Sequence, residues 1–142
     1  MTPRLLAALS VSLLAGAAWA QEAFPSRTAT IVVPFPPGST SDLLPRAIAP
    51  IVSQALGVGV VIENRPGAGG SVGAATVAKA RADGHVILMA PTPVLAVNQW
   101  LYKDLAYSPE RDLAPITNAA ATPNLLVVHP SVQANTLKEL VE

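Results

Sequence analysis

Cysteine is absent from the chain, histidine occurs twice, and aromatic residues make up only 4%. Without cysteine there is no disulfide framework, zinc finger, iron–sulfur cluster or thiol nucleophile. With His85 and His129 as the only histidines, no multi-histidine metal site is expected. Charge is scarce as well, at 13% of residues, with nine basic side chains against nine acidic ones. That balance lacks the basic footprint of a nucleic-acid binder or a basic membrane-surface protein. What the 142 residues do have is apolar side chains (51%), fourteen prolines and nine glycines. Length allows one ordinary domain with a modest core.

Part of the apolar content is concentrated at the start. Arg4 gives a short positive opening, and residues 5–18 form an uncharged run. Ala18-Trp19-Ala20 then has the small-x-small form of a cleavage signal, so residues 1–20 are expected to be a signal peptide. A membrane anchor fits less well: fourteen helical residues rise about 21 Å, short of a hydrocarbon core of roughly 30 Å. Without this segment the composition is that of an average globular domain, with eight basic against nine acidic residues. Export combined with a lack of cysteine suits a periplasmic location.

The rest alternates. Thr30-Ile-Val-Val33 is a β-branched run that Pro34 stops, and it reads as a short buried strand. Residues 42–56 place apolar side chains on one helical face, with Thr40 or Ser41 as N-cap, Asp42 in the first turn and Gly57 as C-cap. Pro45 falls near the first turn, whereas Pro50 is expected to kink the helix. A second strand over 58–63, a small-residue helix over 71–80 and a third strand over 85–90 follow. Strand–helix–strand–helix–strand order signifies an α/β fold with a mainly parallel sheet.

Each loop in this order leaves the carboxyl end of a strand, the edge where open α/β sheets bind ligands. The first two are rich in glycine and small hydroxyl residues, so backbone N–H groups and helix N-termini can converge there on an anion. A purely structural tight turn is the alternative for the glycines. Gly67, Gly69 and Gly73 are spaced two and then four apart, which is not the dinucleotide fingerprint, and no P-loop lysine or Gly-x-Ser-x-Gly elbow is present.

Thr30-Ile-Val-Val-Pro-Phe-Pro-Pro-Gly-Ser-Thr-Ser-Asp42 and Val61-Ile-Glu-Asn-Arg-Pro-Gly-Ala-Gly-Gly70 resemble the Bug family, the periplasmic solute-binding receptors of tripartite tricarboxylate transporters. Ala82-Asp-Gly-His-Val-Ile-Leu88, residues 105–116 and Asn124-Leu-Leu-Val-Val-His-Pro130 extend the likeness over essentially all of the mature chain. The resemblance implies a two-lobed clamshell that holds a small di- or tricarboxylate, or a related organic acid, and presents it to membrane transporter subunits. It implies no cofactor, metal, nucleic acid or catalysis. It also implies ligand contacts from Pro37, Gly38, Ser39, Thr40 and Asp42 in the first loop, Ala68 and Gly69 in the second, and Thr92 in the third. Two positions depart from the family pattern: Gly38-Ser39 stands where two glycines are usual, and Thr92 is the sole hydroxyl of its loop.

Several side chains allow two readings. Arg65 can meet a ligand carboxylate or pair with Glu63. Asp42 can meet a ligand ammonium or serve its helix terminus. Trp100 and Tyr102 are expected to pack in the core, His129 to lie in a loop, and residues 104–112 to be solvated. Residues 114–121 read as a strand crossing between lobes, 124–128 as the first strand of the second lobe, and 136–142 as a helix start with Thr136 and Glu139 forming a capping box. Family members are more than twice as long. The expected division is therefore a signal peptide over 1–20, an incomplete first lobe over 21–120 and the start of a second lobe over 121–142, with most of that lobe missing. Two other readings compete with the receptor: an α/β enzyme using the glycine-rich loops for an anionic substrate, and a non-functional fragment.

Overall fold

The computed structural model describes residues 23–123 and 125–141. The expected signal peptide and residues Asn124 and Glu142 lie outside the described residues. Three parallel strands form the sheet in the order β2–β1–β3: β1 (Ala29–Val33), β2 (Val60–Asn64) and β3 (Val86–Leu88). Ala29 lies opposite Val60 and Val33 opposite Asn64, while Thr30 to Val32 pair with Val86 to Leu88. The β-branched run of β1 is the central strand, and Ile31, Val32 and Val33 are buried, as expected of a strand covered on both faces. Pro34, which has no amide to donate, ends it and is itself buried.

β1 leads through α1 (Thr40–Leu56) to β2 on one side, and β2 leads through α2 (Ser71–Ala78) back across to β3 on the other. Right-handed crossovers in opposite directions put the helices on opposite faces. α1 packs on β1 and β2, and α2 on β1 and β3. Gly57 caps α1 at φ +70°, its amide donating to the Ser53 carbonyl. At the other end the N-cap is Ser39, ahead of the two positions expected. Pro45 and Pro50 both lie inside α1, which continues through them as one element.

After β3 the chain forms a π-helical turn (Pro93–Val97), α3 (Asn98–Leu101) and α4 (Pro109–Asp112). Ala74, Val94 and Tyr107 make a second core cluster, joined by Phe35, Leu88, Leu105 and Leu113. The stretch 104–112 is thus not simply solvated: Tyr107 is buried and donates its hydroxyl to the Val94 carbonyl. Trp100 is the reverse case, 83% exposed rather than in the core. Neither 114–121 nor 125–128 forms a strand, because no neighbour among the described residues takes their backbone groups and both stretches face solvent. The helix expected near the end is present as α5 (Leu137–Val141). Thr136 accepts the Glu139 amide, and Glu139 reaches back to the amide of Asn135.

Candidate functional site

All eight residues singled out in the sequence lie in loops that leave the carboxyl ends of the strands, or in the first turn of α1. In the first loop, Gly38 adopts φ +80° and its amide donates to Asp42 Oδ2 at 2.8 Å. Asp42 is buried, and the same oxygen accepts from Arg46 Nε at 2.7 Å. Its other oxygen accepts from Asn64 Nδ2 at 2.8 Å. The Arg46 guanidinium, then the Gly38 amide and the Asn64 amide, hold the Asp42 carboxyl well below the usual carboxylate range. Asp42 is therefore satisfied by internal donors.

The neighbouring groups are not. Ser39 Oγ is buried without a hydrogen-bond partner among the described residues, although it stands at an N-cap where a serine hydroxyl normally accepts from the first turn. Backbone partners begin at Asp42 and Leu43, both bonded to the Ser39 carbonyl, so the amides of Thr40 and Ser41 are left unused in the way helix starts leave them. Pro37 and Thr40 are exposed.

In the second loop, Ala68, Gly69 and Gly70 have φ of +46°, +61° and +91°. A non-glycine residue in that region costs about 1–2 kcal/mol, which the loop bears at Ala68. The Gly67 carbonyl takes the amides of Gly70 and Val72, whereas those of Ala68 and Gly69 find no acceptor among the described residues. Arg65 pairs with Glu63 through Nε at 2.7 Å, so of its two readings the ion pair is the one formed.

The loops are tied to one another. Asn64 Nδ2 donates to the Phe35 carbonyl at 3.0 Å, joining the end of β2 to the first loop. Buried Asn98 donates to the Gly69 carbonyl at 3.0 Å and to Ser71 Oγ at 3.1 Å, joining the second loop to the segment after β3. Glycine is required where these pieces meet. A Cβ on Gly70 would come within 2.7 Å of Val94, and one on Gly73 within 2.8 Å of the Pro34 backbone. Thr92 begins the helical segment of the third loop, exposed, with its hydroxyl making no cap bond. Sequence reasoning did not single out Arg46, Asn64 or Asn98. The i, i+4 spacing of Asp42 and Arg46 was the available signal for the first.

What this edge offers an anion is a set of free amides and hydroxyls, with the nearby Arg46 and Arg65 already paired. A groove of about 400 Å³ runs along α2 past Val72, Thr76 and Lys79 and meets the site only at Ala68 and Ser71. Among the described residues no group of three potential metal ligands occurs.

Fold and edge together define an α/β lobe of the binding-protein kind. A structure of Rhodopseudomonas palustris Rpa4515 with adipate is 37% identical, with TM-score 0.73 over 83% of this chain and 40% of that one. MatC from the same organism, with bound malate, is 39% identical, with TM-score 0.60 over 63% and 30%. Residues 44–142 match the model of the tripartite tricarboxylate transporter family receptors, and the chain belongs to that family. Protein BugT of Bordetella pertussis is 33% identical over 97% of this chain and 44% of its own length. The chain spans about two fifths of the length of the curated relatives it matches.

Proposed function

We propose that the protein is a periplasmic receptor that captures a small organic carboxylate for a tripartite transporter, and that it acts by binding, without catalysis. The observation behind this reading is the pair of unsatisfied sets at one sheet edge: Ser39 Oγ with the Thr40 and Ser41 amides, and the Ala68 and Gly69 amides. A carboxylate offers about four acceptor positions and no donor, and amide donors at a helix start favour it further. Adipate and malate in two structural neighbours point to the same ligand class. In this reading Pro37 and Gly38 shape the first loop, Thr92 adds a hydroxyl, and Asp42 works from beneath. Residues 21–120 belong to a first lobe and 121–142 lead into a second.

Calorimetry of the chain with adipate, malate and the neutral diamide of adipic acid tests the reading. Saturable heats for the dianions, in the millimolar range because one open edge leaves the ligand hydrated, are expected. The diamide should give none. A panel of organic acids without any binding, or equal binding of the diamide, would overturn it.

A further inference from the structure

Five hydrogen bonds converge beneath the first loop, and two of the residues that make them have no role so far. Asn64 is the last residue of β2 and lies opposite Val33, so its side chain starts where the first loop starts. Both of its amide hydrogens are used: Nδ2 donates to the Phe35 carbonyl and to Asp42 Oδ1, while Oδ1 accepts from Arg46 Nη2 at 3.0 Å. Arg46 stands one turn along α1 from Asp42 and forks between Asp42 and Asn64. The loop is thereby fastened at its beginning, through the Phe35 carbonyl, and at its end, through the Gly38 amide on Asp42. Between those points Pro36 and Pro37 have fixed φ.

We infer that Arg46 and Asn64 are positioning residues for the anion loop: they set its conformation before a ligand arrives, and neither touches the ligand. The inference rests on the proposed carboxylate site and names what determines its affinity from below. Two physical effects act together. A loop held at both ends does not have to be ordered on binding, so ligand affinity is not spent on ordering it. The Arg46 guanidinium also neutralises Asp42, whose carboxylate would otherwise repel an incoming anion. Lysine cannot replace it fully, because an ammonium lacks the planar fork that reaches both partners.

Amide-resolved NMR of the chain with adipate as the probe tests this in Arg46→Gln, Arg46→Lys and Asn64→Ala. The glutamine and alanine variants should move the Gly38 amide resonance upfield, speed its exchange and weaken adipate binding by about tenfold. Arg46→Lys should fall between them and the parent. In Arg46→Gln the Gly38 resonance should titrate at higher pH than in the parent, since Asp42 has lost its cation; a merely structural role would show that shift and leave adipate affinity unchanged. The Arg46 side chain is 48% exposed, so its variants keep the test open if Asn64→Ala fails to fold. Unchanged adipate affinity with an altered Gly38 signal overturns the inference, as does weakened affinity with an unaltered one, which would indicate direct contact. A parent chain that does not respond to adipate overturns the receptor reading together with this one. A responsive parent with unaffected variants overturns only the positioning role.

Discussion

Thr30–Val33 and Leu125–Val128 are two four-residue runs, each ending in Val-Val, with opposite fates. In the first, Ile31, Val32 and Val33 are at most 3% exposed, and the run is the middle strand of the sheet. In the second, Leu125, Leu126 and Val127 are 71–83% exposed and no strand forms. Thr and Ile favour a strand more than Leu does, but the β-propensity scale spans only about 1 kcal/mol and yields to context. The difference is the neighbour. β1 has a partner on each side and a helix on each face, and the later run has none of these among the described residues. A strand is thus a property of its pairing, and the loops of the site inherit their positions from the run that is paired.

Substitutions can break or sharpen that contrast. The largest effect is expected at Gly73, where any side chain meets the backbone of Pro34 and Arg65 within 2.9 Å. Gly73→Ala should lower stability by about 3 kcal/mol or more in urea unfolding, since neither backbone can retreat without moving β1 or the second loop. Next comes the direct pair. Val32→Ala should cost about 2 kcal/mol, whereas Val127→Ala should stay within about 0.5 kcal/mol. Equal losses would show that residues 125–128 are packed in solution, and the contrast would fail. Asn98→Ala should cost about 1–3 kcal/mol by stranding its buried partners. It should also raise exchange at the Gly70 amide, which is bonded to the Gly67 carbonyl, and leave the first loop unaffected.

Acid acts more gradually, through carboxylates held below their usual range. Asp42 is held below the usual range by Arg46, Gly38 and Asn64, and Asp83 by the His85 amide and Arg27. Their unfolded values are near 3.9, so as pH falls from about 5 the unfolded chain takes up protons first and stability declines. Above that window these two groups give no slope. Urea midpoints between pH 3 and 7, compared with those of Asp83→Asn, check both sign and range; stability that rises on acidification would contradict the assignment.

Much of the paired region was legible in the sequence. β-Branched runs, the stop at Pro34, glycine at a helix end and small residues in α2 each act locally, and local signals survive in a string of letters. The glycine-rich loops at the carboxyl ends of the strands were legible as loops for the same reason. Most of the hydrogen bonds that hold them were not, because Asn64 and Asn98 act across 18 to 29 residues on partners that only the fold brings near, whereas the Asp42–Arg46 pair lies four residues apart. Tyr107 was missed because one buried aromatic disappears in the average of a polar stretch. The strands expected over 114–121 and 124–128 show the opposite failure, where local preference was present and the partner was not.

If backbone amides at the sheet edge hold the anion, an adipate titration followed amide by amide is the most direct measurement. Saturable shifts at Thr40, Ser41, Ala68 and Gly69, with residues 125–128 silent, are predicted. Shifts that gather at lysine or arginine side chains away from these loops, with the four amides unmoved, would contradict it.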